Sequence, residues 1–521
     1  MNITYEYFWG RSASFEQKKE LADFYSSHYG MWSENDPEKR GGRNISLSPG
    51  MISKWLSNDY SELWTARDGK ILIGYAIALR GFLNSQKKDQ IIWVTQFVVH
   101  KEHRHEGIGK KLLFSLWNIS SAYAWGLVTA SPYAIRALEK ATRRKCDPKN
   151  IKQNIEKILH FGSQNIIYIN KSIEKEVGNN SSKVNTNFYI THSKISEMLE
   201  RTTSEECLWQ LGNIEEGWEW IAFTFKDQLP FEFTKKEIED MMNASDSVAR
   251  QAYSRMPMDL HKWACHADKE VEYIINTCKL SPENKILDIG CGLGRHTIEF
   301  KREKQYNNII GIDYVDSLIE SAKKKAKEKD VEYDFQCIDI TASLSKSKLR
   351  HNDFDAILCL YDVVGSYVDN LKNQTILNNI FFLLKPGGYA VISVMNLHRT
   401  EAKAKYKFSI EKSTIKLHEL QASNTMNETG DVFDPEYYMI DTDTKIIYRK
   451  ELFSYDQTSS KNKPPIELIV RDRRFYMDEI VEMCNKAGLE VIQKRFVNAG
   501  WQRDETCEEA REILLICKKK G

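Results

Sequence analysis

The sequence has no long run of uncharged apolar residues, and its mean hydropathy is −0.51. A helix that crosses a membrane needs about 20 consecutive, mostly apolar residues, so we expect no membrane-spanning segment. The N-terminus also lacks the basic start and the apolar stretch that mark a protein for export. These absences predict a soluble, cytoplasmic protein without a membrane partner.

Signs of disulfide bonds and of metal binding are missing as well. The ten cysteines are scattered along the chain, without a Cys-x-x-Cys pair or a His-x-x-x-His pair that would complete a zinc site. We therefore predict reduced cysteines and no metal site.

The sequence does contain enough material for two domains. At 521 residues, of which 41% are hydrophobic, the chain is longer than one hydrophobic core usually organises. A polar stretch at residues 174–187 (EKEVGNNSSKVNTN) is typical of a loop or linker. We predict a first domain at residues 1–172, a linker and mixed middle segment at 173–233, and a second domain at 234–521.

In the second domain, strand-like and helix-like patterns alternate from residue 285 onward, which predicts a mostly parallel, doubly wound sheet. The segment LDIGCGLGRHT at residues 287–297 follows an apolar strand and opens a helix, where glycines let the backbone approach a ligand closely. About 25 residues later, Asp313 ends the next strand, where a carboxylate can accept the hydroxyls of an adenosine ribose. Two further parts are CID at residues 337–339 and LKPGGY at residues 384–389.

These four parts together resemble the class I S-adenosylmethionine-dependent methyltransferases, over roughly residues 260–518. The competing interpretation, a nicotinamide-binding fold, would show Gly-x-Gly-x-x-Gly rather than the Gly-x-Gly-x-Gly found here. The resemblance implies S-adenosylmethionine as cofactor, with Asp313 on the ribose and Asp339 near the adenine amine. The other implied cofactor-binding residues are Asp288, Gly290, Cys291, Gly292 and Gly294 around the methionine portion, and Tyr314 and Ile340 beside the two carboxylates.

The methyl acceptor is expected at the carboxyl ends of the strands, where it can align with the methyl carbon. The segment that follows the strand FDAILCLY lacks both the Asn-Pro-Pro-Tyr motif and the Pro-Cys motif of DNA-modifying classes. Residues from about 400 to 475 predict an inserted β-rich lid over a small-molecule acceptor. The candidate catalytic residues are Asp362, Tyr367 and His398, with Tyr438 beside them, and a purely structural role for each stays open.

In the first domain, the strand IIWVTQFVVH at residues 91–100 runs into a glycine-containing turn and an amphipathic helix. Successive amides at a helix start can hold a pyrophosphate, and residues 101–150 carry ten basic against four acidic side chains. The spacing Arg104-x-x-Gly107-x-Gly109 resembles the acetyl-coenzyme A site of the GNAT acetyltransferase family, over about residues 3–145. The resemblance implies acetyl-coenzyme A, or another acyl-coenzyme A, with its pantetheine between splayed strands. The implied binding residues are Val99, Arg104, Gly107, Ile108, Gly109 and Lys110.

One position departs from that family's pattern. The family commonly has a tyrosine that protonates the departing thiolate, and Leu138 occupies its place here. Tyr133 is the candidate acid; otherwise transfer depends on proximity alone. A third interpretation is a domain that binds an acyl donor or a substrate without catalysing transfer.

The sequence as a whole predicts an α/β protein: a GNAT-like α/β domain followed by a doubly wound, Rossmann-like methyltransferase sheet with an inserted β-rich lid. We predict a bifunctional enzyme that methylates and acylates a small polar, amine-bearing metabolite or a carrier-bound intermediate. Two alternatives stay open. One is a nucleic-acid or tRNA modifying protein that uses Arg143, Arg144 and Lys145, and the other is a methyltransferase whose GNAT-like domain only recognises the substrate. The sequence predicts no particular oligomeric state.

Overall fold

The computed structural model describes residues 3–38, 40–86, 88–204, 208–254, 262–344, 347–425, 437–453 and 466–520. The chain forms two compact units: the first comprises Met1–Arg250 and two short later segments, and the second comprises the rest of the chain. Within the described ranges, no helix is both long enough and apolar enough to cross a membrane.

The first unit is built on an eight-stranded sheet. Its strands are β1 (Ile3–Trp9), β2 (Ser61–Asp68), β3 (Ile71–Phe82), β4 (Gln90–Val99), β5 (Ala124–Thr129), β6 (Lys175–Val177), β7 (Ser182–Phe188) and β8 (Gly217–Phe225). They lie in the order β1-β2-β3-β4-β5-β8-β7-β6. β4 and β5 run parallel, whereas the other neighbours are antiparallel.

Helices cover both faces of this sheet. They are α1 (Phe15–His28), α2 (Pro49–Leu56), α3 (Ile108–Trp117), α4 (Pro132–Thr142), α5 (Pro148–Asn165), α6 (Ile195–Thr202) and α7 (Lys235–Ser254). Val98 of β4 packs in one cluster with Phe24 and Tyr25 of α1, whereas Phe97 lies against Gly109 of α3. Because neighbouring residues of a strand point to opposite faces, α1 and α3 lie on opposite sides of the sheet.

The segment at residues 173–233 differs from the predicted linker, because its strands belong to the first sheet. β8 lies between β5 and β7, and its residues from Trp220 to Phe225 are buried. The polar residues that predict a linker belong instead to the edge strands β6 and β7, where one face of an antiparallel sheet can meet water. α7 also belongs to the first unit: Ser247 Oγ donates a hydrogen bond of 3.0 Å to the carbonyl of Tyr5 in β1.

The second unit contains the remaining helices and strands. The helices are α8 (Ala267–Cys278), α9 (Arg295–Lys304), α10 (Asp316–Glu328), α11 (Asn370–Leu383), α12 (Leu397–Lys403) and α13 (Met477–Lys486). The strands are β9 (Ile286–Ile289), β10 (Ile309–Asp313), β11 (Phe335–Cys337), β12 (Phe354–Cys359), β13 (Leu384–Met395), β14 (Tyr406–Phe408), β15 (Ala422–Ser423), β16 (Met439–Asp441), β17 (Ile446–Phe453), β18 (Ile466–Arg473), β19 (Leu489–Val497) and β20 (Glu512–Lys519).

Seven of these strands form the main sheet, in the order β11-β10-β9-β12-β13-β20-β19. The first five run parallel, and β20 is antiparallel to both of its neighbours. Ile357 of β12 packs in one cluster with Ile376 of α11 and Ile480 of α13, while Leu358 packs with Val271 of α8 in another. Helices therefore lie on both faces, which confirms the predicted doubly wound sheet.

A second, smaller sheet lies in the chain between α12 and α13, where the sequence predicts the β-rich insertion. Its strands follow the order β14-β16-β17-β15, and β18 also pairs with β17. Residues 426–436 and 454–465 of the predicted lid lie outside the described residues. That this sheet covers an acceptor stays a prediction.

Replacing Phe223 by alanine tests whether β8 is an integral strand of the first unit. Phe223 is fully buried against Trp93, with 5.1 Å between the ring centres. Because truncating a buried Phe costs about 3–5 kcal/mol, we expect the free energy of unfolding in urea to fall by that amount. The matched change at Leu229, which is 89% exposed, should cost less than about 0.5 kcal/mol. Equally small losses for the two variants would contradict the placement of β8 in the core.

Candidate functional site

The turn after β9 leaves backbone exposed at the carboxyl edge of the second unit's main sheet. Gly290, Gly292 and Gly294 have φ angles of 70°, 54° and 77°, and Gly294 precedes the first residue of α9. A side chain at Gly290 would overlap Val363, whereas one at Gly292 would meet nothing within 4 Å. The first glycine therefore allows close packing, and the middle one faces open space that a ligand can approach.

Two carboxylates support this turn. Asp313, at the end of β10, accepts hydrogen bonds from the amides of Gly292 (3.1 Å) and Val315 (2.9 Å). Burial raises the pKa of Asp313, and these two amides oppose that shift. Asp288, at the centre of β9, is buried and accepts a hydrogen bond of 2.8 Å from Thr297 Oγ1 of α9. Asp288 thus stabilises the turn from behind, and Asp313 lies at its edge.

The other predicted cofactor-binding residues lie along the same edge. Tyr314 directly follows Asp313 and is 43% exposed. Asp339 is exposed, and its Oδ1 accepts hydrogen bonds from the amide and hydroxyl of Thr341 (2.8 and 2.7 Å). Ile340 is buried, as is Cys291, and burial raises the pKa of the Cys291 thiol well above its ordinary value. Cys291 is therefore a packing residue of the turn and not a nucleophile.

Sequence reasoning missed Glu270, because it lies in α8 within no recognisable motif. Glu270 is fully buried and receives hydrogen bonds from Tyr361 Oη (2.6 Å), the amide of Gly500 (3.0 Å) and Arg295 (3.0 Å). Nε2 of His296 lies 2.8 Å from the same carboxylate. Burial alone would raise the pKa of Glu270, but the hydrogen bond from His296 and the charge of Arg295 outweigh it and lower the pKa to about 2.

Asp362, a predicted catalytic residue, follows the end of β12. The residue before it, Tyr361, has a φ of 64°, an uncommon backbone conformation for a tyrosine that re-aims the chain at this point. Asp362 is exposed to water, yet the surrounding protein raises the pKa of its carboxyl, and the charge of Asp472 adds to that shift. The charges of Arg449 and Arg474 oppose it. The carboxyl of Asp362 therefore lies among charges of both signs.

The charges around Asp362 come from the inserted sheet and belong to a buried network. Asp472 of β18 accepts hydrogen bonds from Arg449 Nε (3.1 Å) and Arg474 Nε (2.8 Å). Arg474 also donates to Thr400 Oγ1 (2.7 Å), and its guanidinium lies 4.5 Å from the ring centre of Tyr438. Buried arginines in a paired network hold a fixed geometry, so this cluster can orient a polar acceptor.

Tyr367 and His398 have contacts that a structural role explains. The ring of His398 lies 4.8 Å from that of Tyr476 and 5.9 Å from that of Phe496. Tyr367 packs against the core of the main sheet, and the Lys372 ammonium lies 5.0 Å from its ring centre. A catalytic role for either residue stays a prediction.

In the first unit, β4 and β5 separate halfway along their length. Their pairing runs from Ile91–Ala124 to Val94–Leu127. The next residue, Thr95, is a bulge, because Val94 and Gln96 pair with consecutive residues of β3. A bulge bends its strand, so the rest of β4 continues along β3 while β5 continues along β8. The resulting gap is where the family resemblance places the pantetheine.

The turn after β4 leads into the N-terminus of α3. Gly107 has a φ of 80° and offers no side chain to cap α3, so the amides that follow, from Ile108 to Lys110, can receive an anion. A side chain at Gly109 would come within 2.9 Å of Phe97. Arg104 donates to the carbonyls of Val99 (3.3 Å) and His28, so it fixes the turn to the end of β4 and to α1.

Tyr133 lies in the first turn of α4, and its ring is 4.7 Å from that of His105 in the same turn that holds Gly107. Leu138, at the place of the family's tyrosine, is buried. The structure thus brings the candidate acid next to the proposed pyrophosphate site.

The nucleic-acid alternative depends on the basic residues 143–145, of which Arg144 is buried and the other two are of intermediate exposure. Arg144 is buried, donates to the carbonyls of Thr142 (3.0 Å) and Gln228 (3.1 Å), and lies against Trp125. Arg143 donates to the carbonyl of Glu232. Both guanidinium groups bond to backbone carbonyls, and a nucleic-acid role for these residues stays a prediction.

Comparison with known protein families gives one match in each unit. The profile of a methyltransferase domain matches residues 280–464, and that of the GNAT acetyltransferase family matches residues 21–130. Both matches agree with the resemblances predicted from the sequence.

Among curated proteins, the chain is similar to carboxy-S-adenosyl-L-methionine synthase of Nautilia profundicola, with 32% identity over 115 residues, or 22% of this chain and 45% of that protein. It is also similar to ubiquinone biosynthesis O-methyltransferase of Histophilus somni, with 32% identity over 24% of this chain and 51% of that protein. The chain thus spans about half the length of these relatives. Among solved structures, a methyltransferase from Clostridium acetobutylicum is 14% identical, covers 55% of this chain and 99% of its own, and has a TM-score of 0.35.

Replacing Glu270 by glutamine should lower the free energy of unfolding of the second unit by about 3 kcal/mol at pH 7, because each pKa unit below the ordinary 4.5 is worth ~1.4 kcal/mol. Since folding lowers this pKa, the contribution is present above about pH 4.5 and is lost as the pH falls towards 2. The difference in unfolding free energy between wild type and variant, measured by urea unfolding, should therefore shrink between pH 6 and pH 3. In that range the unfolded wild-type chain binds a proton at Glu270 that the folded chain does not. Glu272→Gln, at an exposed position of the same helix, is the control. A pH-independent difference would argue against the charged network.

Proposed function

Because the chain carries a GNAT acetyltransferase domain and an S-adenosylmethionine-dependent methyltransferase domain, we propose that it is a bifunctional transferase. The second unit transfers a methyl group from S-adenosylmethionine, and the first transfers an acetyl or other acyl group from coenzyme A. The acceptor is a small polar metabolite that bears an amine, or a carrier-bound intermediate of that kind. The observation that carries this proposal is that each unit leaves backbone open at the turn where its cofactor would bind.

In the methyl transfer, the acceptor's lone pair attacks the methyl carbon as the carbon–sulfur bond breaks, and S-adenosylhomocysteine leaves. Open space at Gly292 and the carboxylate of Asp313 suit the cofactor's methionine portion and ribose. Asp362 suits an acceptor that must lose a proton, because a carboxylate with a raised pKa is a stronger base. The arginine network of the inserted sheet would then orient the acceptor's polar groups.

In the acyl transfer, the acceptor amine attacks the thioester carbonyl, the carbon–nitrogen bond forms and the carbon–sulfur bond breaks. The amides at the start of α3 would hold the pyrophosphate, and the gap after Val94 would hold the pantetheine. Tyr133 lies at the pyrophosphate end of this site, so the thiolate at the other end of the pantetheine would take up the proton that the amine loses. Both reactions depend mainly on positioning, since amines and thioesters are reactive once they are aligned.

The methyltransferase half is tested by calorimetric titration of the full chain with S-adenosylhomocysteine. Replacing Asp313 by alanine should weaken binding at least about tenfold, because a hydrogen bond to a charged group contributes about 1.5–3 kcal/mol. Asp316→Ala, at an exposed position three residues later, should bind as wild type does. Equal affinities for wild type and Asp313→Ala would remove Asp313 from the site.

The acyltransferase half is tested by the same titration with acetyl-coenzyme A. Gly107→Glu places a negative charge at the start of α3 and a side chain at a φ of 80°, so binding should be lost. Gly178→Glu adds the same charge where a side chain meets nothing within 4 Å, and binding should persist. If the wild type binds S-adenosylhomocysteine but not acetyl-coenzyme A, the first unit is a recognition domain and the protein is a methyltransferase alone.

A further inference from the structure

Two buried carboxyl groups, those of Glu270 and Glu512, lie near the carboxyl edge of the second unit's main sheet. Glu270 is 0% and Glu512 1% exposed. Glu512 belongs to β20, where it pairs with Met395, the last residue of β13. The charge of Glu270 acts on Glu512, and both carboxyls act on the guanidinium of Arg295. Two acids therefore share one buried cation.

The two carboxyls differ in their hydrogen-bond donors. Glu270 receives hydrogen bonds from Tyr361 Oη (2.6 Å), Arg295 (3.0 Å) and the amide of Gly500 (3.0 Å). Among the described residues, none donates a hydrogen bond to Oε2 of Glu512, although this oxygen is buried. A buried acceptor without a donor is costly, and more so when it carries a charge. The geometry thus places the negative charge on Glu270 and the proton on Glu512.

Both carboxyls hold Tyr361, the residue before Asp362. The hydroxyl of Tyr361 donates to Glu270, and its backbone amide donates to Ser393 Oγ at 2.5 Å. Ser393 in turn makes a side-chain hydrogen bond with Glu512. Tyr361 is therefore linked to one carboxyl through its side chain and to the other through its backbone. The path of the chain after β12 depends on both links.

The same pair holds the turn that the cofactor would approach. Arg295, the first residue of α9, directly follows Gly294 of that turn, and its guanidinium lies 4.6 Å from the ring centre of Tyr361. A side chain at Gly290 would come within 2.3 Å of Val363, so the turn also packs on the segment that follows Tyr361. The turn and the end of β12 are thus fixed to one charged group and to each other.

From these contacts we propose that Glu270 and Glu512 are positioning residues for the S-adenosylmethionine turn, and that the single proton they hold links cofactor binding to pH. Loss of this proton to solvent places a second negative charge beside Glu270, and Arg295 is then shared between two carboxylates. The start of α9 and the segment after β12 lose their fixed relation, so cofactor binding weakens. The inference rests on the proposed methyltransferase function and adds a regulation of its cofactor site.

The proton is lost just above neutral pH. Burial, with the charge of Glu270 as the second cause, raises the pKa of Glu512 to about 8, and Ser393, Arg295 and Trp501 only partly oppose that shift. The other titratable groups around the pair are Arg295 and His296 of α9, Tyr361 after β12, and Asp288 of β9. Burial raises the pKa of Tyr361 well above its ordinary value, so its hydroxyl stays neutral. Glu270, with a pKa of about 2, stays charged.

The test is calorimetric titration of the full chain with S-adenosylhomocysteine at pH 7 and at pH 9. If the protonated form of Glu512 binds, the wild-type Kd should rise about tenfold between these values, because the pKa lies near 8. Glu512→Gln stays uncharged and should lose this rise. The amino group of the ligand titrates alike with both proteins, so the difference between their Kd ratios reports Glu512. Glu508→Gln, at an exposed position four residues earlier, is the control and should keep the wild-type ratio.

Proton uptake is a readout that a purely structural role would not change. Titrations at pH 8 in buffers of different ionisation enthalpy should show that the wild type takes up about half a proton more per bound ligand than Glu512→Gln does. Glu512→Met has a similar volume and no titratable group, so it should behave as Glu512→Gln does. It serves as the second uncharged variant if the carboxamide prevents folding, and thermal melts at both pH values identify the folded proteins.

The possible outcomes separate this inference from the proposed function. If the wild type does not bind S-adenosylhomocysteine at pH 7, the methyltransferase proposal itself fails. If it binds with a Kd that does not rise between pH 7 and pH 9, the role of Glu512 is overturned without any variant, and the cofactor site stands. Equal Kd ratios and equal proton uptake for the wild type and a folded uncharged variant would overturn it as well.

Discussion

A single buried carboxylate, that of Glu270, fixes the edge of the second unit's main sheet where its glycine turn lies. Burying a charge costs several kcal/mol unless hydrogen bonds and opposite charges compensate. Here the donors come from α9, from Tyr361 two residues after β12, and from the amide of Gly500. The neighbouring carboxyl, Glu512, shows the strength of this field: burial and the charge of Glu270 raise its pKa to about 8. At neutral pH the pair therefore holds one negative charge, which keeps the N-terminus of α9 and the end of β12 in a fixed relation. Tyr361, whose φ is 64°, donates its hydroxyl to Glu270, and Asp362 follows it directly in the chain.

In the first unit, the glycine turn lies after a strand that separates from its parallel neighbour. Two parallel strands, β4 and β5, are paired only as far as Val94 and Leu127, and the bulge at Thr95 turns β4 away. Each strand keeps its outer neighbour, so the gap costs hydrogen bonds only between β4 and β5. In both units a strand is followed by a glycine turn and a helix N-terminus, which presents backbone amides to an anionic or polar ligand. The shared rule explains why both sites lie at carboxyl ends of parallel strands, although one sheet is mostly antiparallel.

Sequence motifs located these turns because glycine positions and strand ends are local features, as at Gly292 and Gly107. Glu270 could not be found in this way, since its role depends on partners that are distant along the chain and on complete burial. The environment of Arg144 could not be predicted from the sequence, because a run of basic residues is typical of a solvated surface. Only tertiary packing directs this guanidinium towards backbone carbonyls. The sequence of β6 and β7 predicts a linker because edge strands share the polar composition of loops. The pairing of β6 with β7, and of β7 with β8, depends on residues that are distant along the chain.

The chemistry of the two transfers bears on the order of the reactions. Asp362 lies in the field of Arg449 and Arg474, which suits an anionic or polar acceptor. Acylation converts an ammonium into a neutral amide, whose nitrogen has lost its nucleophilic lone pair to the carbonyl. If one molecule receives both groups, a methyl transfer to the same nitrogen must therefore come before acylation, and a methyl transfer that follows must go to another atom.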